Sequence, residues 1–156
     1  MPQLPDAIVT ELLLEAHIDL APAEIVGATP FGTRSIHIVT GGTFAGPKLR
    51  GTVRPGGGDW LLTLANGAGE LDVRGTLETD DGALIYISYH GVLDVTPAVM
   101  ARVLGSEDVS PSEYYFRTTP RFETGSEKYA WLNKTVCVAT GYFRAREVGY
   151  RIFAVK

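Results

Sequence analysis

The sequence predicts an all-β domain, a sandwich or a barrel, and three observations carry that prediction. First, turn residues recur about every 8 to 15 residues, a spacing that punctuates short strands. They are Gly41-Gly42, Gly46-Pro47, Pro55-Gly56-Gly57-Gly58, Asn66-Gly67, Asp81-Gly82 and Gly125. Second, the segments between them alternate apolar and polar residues with the period of a strand. Third, the 156 residues include 18 glycines and 9 prolines, dispersed as punctuation and not gathered in tracts. This is one domain's worth of chain, and a domain of that length buries roughly 70% of its unfolded surface without a disulfide or metal staple.

The elements follow in order. Glu11 to Leu20 is an apolar run with a polar end, and Arg34 to Thr40 alternates through Ile36 and Ile38. Leu49 to Arg54 passes through the glycine turn into Trp60 to Leu64, where Trp60, Leu62 and Leu64 share a face. Leu71, Val73, Gly75 and Leu77 alternate cleanly with Asp72, Arg74, Thr76 and Glu78. Asp80-Asp81-Gly82 then turns the chain into Ala83 to Val92, the pattern of a hairpin. Two further strands are expected near Thr135 to Phe143 and Gly149 to Val155, giving about eight to ten in all. One segment departs from this. Thr96 is placed to cap a helix with Pro97 at its first position, Val99, Met100, Val103 and Leu104 follow helical spacing, and Gly105 stops it. This predicts one short α-helix over 97–104, and Ser126 to Asn133 adds a helical turn. Residues 1–8 form a flexible N-terminal segment and 9–156 a single domain.

Composition narrows the partners. The net charge is −4 with no basic cluster, so nucleic acid is not an expected partner. Mean hydropathy is +0.07, and no apolar run approaches the roughly 18 residues of a membrane span. The opening MPQLPDAIVTELLLEAH shows no basic region followed by a cleavage site. A single cysteine, Cys137, forbids an internal disulfide, so the expected location is cytoplasmic. Cys137 sits in an apolar run and reads as a buried structural thiol. His17, His37 and His90 lie on separate strands without metal-ligand spacing, so neither metal nor cofactor is expected.

The glycine-rich stretches are not expected to bind nucleotide. Gly41 to Gly46 lacks the lysine and hydroxyl residue of a phosphate-binding loop, and no helix follows it. No nucleophile elbow of the GxSxG type occurs. What remains is a set of polar strand faces: Asp72 with Arg74, Tyr86 with Ser88 and His90, and Tyr115 with Arg117 and Thr119. If the Asp72 face points into a closed sheet, these groups converge in a pocket suited to proton transfer next to a carbonyl. The same alternation equally describes a solvated outer face with cross-strand ion pairs.

Three blocks carry a resemblance to a known family: GGTFAGPKLRGTVRPGGGDW (41–60), LETDDGALIYISYHG (77–91) and YYFRTTPRFETGSEKYAWLN (114–133). They resemble the bacterial and fungal family called domain of unknown function 3237, over nearly the whole chain. The resemblance implies a closed antiparallel β-barrel of the lipocalin or allene-oxide-cyclase type, with no general activity established for the family. Ala45 departs from the block, where relatives often carry an acid.

Two main functional readings result. In the first the chain is a cofactor-independent enzyme, a lyase, isomerase or cyclase acting on a small oxygenated or aromatic molecule in the barrel cavity. Arg117 or Arg74 then holds an enolate or carboxylate, and Asp72, Glu123 or Tyr86 moves the proton. Trp60, Tyr129 and Trp131 stack on the substrate, with His90 and Asn133 completing the binding set. In the second, the same cavity serves a non-catalytic carrier, and a structural or assembly module is a further alternative. The expected partner is a small organic molecule, and a homo-oligomer is compatible with the apolar strands.

Overall fold

The hairpin predicted around Asp80-Asp81-Gly82 organises the sheet. Strands β6 (Gly69–Thr79) and β7 (Leu84–Asp94) pair antiparallel from Gly69↔Leu93 to Glu78↔Leu84 in the computed structural model, which describes residues 1–156. Gly82 adopts φ +83 in the turn, a left-handed conformation that glycine takes without steric cost. Alternation then sends Leu71, Val73 and Leu77 of β6 to the same buried face as Ile85, Ile87, Tyr89 and Leu93 of β7.

The remaining strands are β1 (Thr10–Leu20), β2 (Glu24–Thr29), β3 (Gly32–Ala45), β4 (Arg50–Val53), β5 (Gly58–Thr63), β8 (Tyr115–Thr118), β9 (Arg121–Glu123), β10 (Cys137–Arg144) and β11 (Glu147–Val155). Eight of the eleven strands close a ring in the order β1-β3-β5-β6-β7-β8-β10-β11 and back to β1. All pairings are antiparallel, so the chain is a closed antiparallel β-barrel. Three strands are extra: β4 bridges β3 and β6 beside β5, β9 extends the pairing of β7, and β2 folds back on β3. The eleven strands exceed the sequence count because β2 and the three-residue β9 lack a distinct alternation.

The two ends of the barrel are covered differently. At the end carrying the β6–β7 turn, a 3₁₀ helix (Glu127–Lys134) buries Tyr129 and Leu132 in the core. This is the helical turn expected from Ser126, although Ser126 makes no side-chain cap. At the other end lies α1 (Pro97–Leu104), with the expected signals: Thr96 Oγ1 accepts from the Val99 amide at 3.3 Å and the Gly105 amide donates to Ala101 at 2.9 Å. Val103 is the residue of α1 that is fully buried. Arg102 ties the following segment down through Glu107 and Glu113, each at 2.6 Å. Residues 1–8 are exposed and carry no strand, and no helix is long and apolar enough to cross a membrane.

Candidate functional site

Closing the sheet creates a lumen, and the strand registers decide which side chains line it. His37 lies opposite Asp59, Asp59 opposite Val73, and Val73 opposite Tyr89. Opposed residues project to the same face, so these four form one level of the inner wall across β3, β5, β6 and β7. Tyr150 joins from β11, opposite Ala16 and Gly141. The lumen offers about 170 Å³ and is otherwise lined mostly by aliphatic and aromatic residues, among them Leu14, Ile18, Leu61, Ile87, Phe116 and Phe143. Met100 and Leu104 of α1 and the β10–β11 turn border its mouth.

The aromatic wall is built from edge-to-face contacts. Ring centroids are 5.2 Å apart for Tyr89 and Tyr150, 5.4 Å for Phe116 and Tyr150, and 6.4 Å for Phe116 and Phe143. Gly141 allows this packing, because a Cβ there meets the Phe116 ring at 2.7 Å.

The electrostatics of the lumen follow from dryness. Burial pushes the Asp59 carboxyl up to about 6; the Asp72 amide, donating to Asp59 Oδ1 at 3.1 Å, opposes this. The negative charge of Asp72 adds to the rise and Arg34 reduces it. Burial lowers the proton affinity of His37 from the usual histidine value, and its Nε2 sits 3.1 Å from Ser35 Oγ. Burial also drives the phenols of Tyr89 and Tyr150 well above their usual range, so both stay protonated as donors. An acid near neutrality and an unprotonated imidazole thus share one level of an apolar cavity. That combination has the chemistry needed for proton transfer.

The residues singled out from the sequence lie elsewhere, in three groups. Asp72 and Arg74 do not point inward: Leu71 and Val73 take the inner face, because burying aliphatic side chains there costs far less than burying charge. Asp72 instead meets Arg74 at 3.4 Å and His90 at 4.0 Å on the outer face, and the Arg74 guanidinium lies 5.8 Å from the Trp60 ring centroid. Trp60, Asp72, His90 and Arg117 do share an outer groove of about 910 Å³, with Arg117 over Tyr115 and bonded to the Phe116 carbonyl. Tyr86 and Glu123 form a second group, opposite each other on the outer face beside Asn133, far from Asp72 in the register. Asn133 clamps the Thr124 backbone with two hydrogen bonds of 2.8 and 2.9 Å. Tyr129 and Trp131 belong to the third, the end plug: the Tyr129 hydroxyl donates to Asp81 at 3.0 Å and Lys48 covers the Trp131 ring. The expected single constellation of Asp72, Arg117, Glu123 and Tyr86 is therefore not assembled. Cys137 is buried with its thiol pushed up to about 11 by burial, as befits a structural residue.

Sequence reasoning marks Asp59, beside Trp60 at a strand end, as a polar group that a closed sheet could bring to a pocket, but it does not pair it with His37 and does not name Tyr89 and Tyr150 as lining. The two tyrosines were legible, since each falls in phase with buried neighbours, Ile85 and Ile87 or Ile152 and Ala154. Asp59 carried no such signal. Residues 58–63 place a leucine on each face, and only pairing with β3 and β6 decides that Asp59 and Leu61 turn inward while Trp60 and Leu62 turn out.

Comparison with known proteins agrees with this architecture. Residues 9–155 match the family described as protein of unknown function, DUF3237. A UPF0311 protein of Clostridium acetobutylicum is 38% identical over 107 residues, covering 69% of this chain and 68% of that protein. A protein of Penicillium herquei named hydroalkoxylation enzyme phnH is 28% identical over 131 residues, 83% of this chain and 72% of the relative. Among solved structures, a β-barrel-like protein of Acinetobacter baumannii superposes with a TM-score of 0.86 at 38% identity, covering 99% of this chain and all of that one. A conserved protein of unknown function from Rhodopseudomonas palustris gives 0.90 at 29% identity, covering 97% and 100%. With a match that runs from the first strand to the last, the chain belongs to the DUF3237 family.

Proposed function

We propose that this protein is a small-molecule enzyme of the lyase, isomerase or cyclase type that transfers protons inside the barrel. Asp59 gives and takes the proton, and His37 is the complementary base. The observation that carries this reading is an aspartate with a raised proton affinity in register with a histidine inside a small apolar cavity. The name of the Penicillium herquei relative supports the class of chemistry. Hydroalkoxylation adds an alcohol O–H across a carbon–carbon double bond. A C–O bond forms, one carbon gains a proton and the oxygen loses one, so an acid and a base must act together. The step asks nothing beyond the side chains of this chain, its partner is a small organic molecule, and the expected setting is the cytoplasm.

Incubating the protein with small unsaturated phenols and enones in D₂O tests the reading. Carbon-bound deuterium detected by NMR, or an addition product, is the expected result, with a rate that inflects near pH 6 and is lost in Asp59→Asn. Ligands that bind the lumen but neither exchange nor react at any pH overturn it. The apolar lining then makes the protein a carrier.

A further inference from the structure

Resting on the reading of the lumen as the working site, we propose that it selects a neutral, single-ring molecule bearing one hydrogen-bonding oxygen. The hydroxyls of Tyr89 and Tyr150 hold that oxygen, and carboxylates are turned away. Three independent features lead there.

Size comes first. An apolar cavity of about 150 Å³ accommodates benzene, so a lumen of about 170 Å³ takes one ring with a small substituent. Shape comes second: Tyr89, Tyr150, Phe116 and Phe143 pack edge to face at 5.2 to 6.4 Å into one aromatic wall, against which another flat ring lies in offset or edge-on contact.

Hydrogen-bonding capacity and charge come third. Both phenols remain protonated and share a hydrogen bond with each other, so one of the two O–H groups is committed to its neighbour and the other is left for a ligand. Thr118 Oγ1, on a lumen-lining residue, is the one buried side-chain polar atom without a hydrogen-bond partner. This wall therefore keeps one phenolic O–H and the Thr118 hydroxyl unused, and a ligand oxygen satisfies them. No free cation faces the space to balance a carboxylate. Of the two arginines at its border, Arg74 is turned to Asp72 and Arg144 to Asp108. The bordering acids, Asp59 and Glu147, repel an anion, although the Glu147 carboxylate accepts from the Tyr142 hydroxyl.

The test compares p-cresol, toluene and benzoate by calorimetry at pH 7.5, three probes of nearly one shape that differ in oxygen and charge. Wild-type protein is expected to bind p-cresol about tenfold or more tightly than toluene and to leave benzoate unbound. The Tyr89→Phe/Tyr150→Phe variant, which removes two oxygens and no packing volume, should bind p-cresol no better than toluene, with toluene unchanged. Gly75→Leu checks the location. Gly75 lines the lumen, its Cβ position has ordinary clearance at 3.6 Å from Ile87, and a leucine there fills the space. Binding of every probe should disappear in this variant while the melting transition stays cooperative. Equal affinity for p-cresol and toluene, an unchanged double variant, or preference for benzoate overturns the selectivity inference. The lumen reading survives those outcomes if toluene binding still depends on Gly75. If none of the probes binds, or if Gly75→Leu leaves binding intact, the lumen reading itself is overturned.

Discussion

Two aspartates on neighbouring parts of the barrel are treated in opposite ways. Asp81, at the β6–β7 turn, has both oxygens engaged: Lys128 at 2.6 Å, Thr79 at 2.5 Å and Tyr129 at 3.0 Å. Lys128 above all, then Thr79, hold its carboxyl well below the usual carboxylate range. Asp59, inside the lumen, has one backbone amide and no cation in contact, and its proton affinity rises to about 6. The first carboxylate is committed to the fold, anchoring the end plug to the hairpin. The second is left under-satisfied at a cost to stability, which fits the proton-transfer role proposed for it.

The largest expected effect separates the two directly. Asp59→Asn should lower turnover by about 10² to 10⁴-fold, the range for losing a general acid or base, while the fold is retained because the amide oxygen still accepts from Asp72. Its effect on stability has a definite sign. Asp59 titrates near 6 in the native state and nearer 4 when unfolded. Between those values the native state holds a proton that the unfolded state has released. Stability therefore falls as pH rises from about 4 to about 6 and is level above that. The asparagine variant lacks this decline. At pH 8 it should be more stable than wild type by at most about 2 kcal/mol, after allowing for the part of the carboxyl that still meets water. Denaturant melts across pH 4 to 8 measure this, and an unchanged slope would mean that Asp59 is not desolvated.

Tyr129→Phe sharpens the other arm. Loss of one hydrogen bond to Asp81 should cost about 1 kcal/mol and lower the melting temperature by about 2 to 4 °C, with the pH dependence of turnover untouched. A changed pH profile would join the plug to the site and dissolve the distinction. The smallest effect belongs to Asp72→Asn. Its exposed pairing with Arg74 contributes about 0 to 1 kcal/mol, but its negative charge helps raise Asp59. The inflection in the pH–rate profile should move to lower pH, with little change in the plateau rate. An inflection that stays in place excludes Asp72 from the electrostatics of the lumen.

Much of the fold was legible because strand alternation and turn residues are local signals. The phase of Leu71, Val73 and Leu77 against Asp72 and Arg74 assigned those faces to opposite sides of β6, and Thr96, Pro97 and Gly105 bounded α1. The site was less legible. Asp72, Arg117, Trp60 and His90, expected together with Tyr86, Glu123, Tyr129 and Trp131 around one pocket, share an outer groove that the other four do not line. Alternation tells which residues share a face; it does not tell which face is inside when both are mixed.

By itself, then, the sequence determined an all-β chain, the β6–β7 hairpin with its glycine at positive φ, the position of the single α-helix and the apolar stripes that form the core. Each of these depends on residues a few positions apart, where backbone geometry and burial act directly. Only the tertiary structure decided that Asp59 turns inward and that His37, Tyr89 and Tyr150 line the same lumen. Those residues come from four strands, and their placement depends on ring closure and on registers set by every intervening pair. An acid beside Trp60 reads as a polar strand end until pairing with β3 and β6 removes it from water, and that removal is what raises its proton affinity.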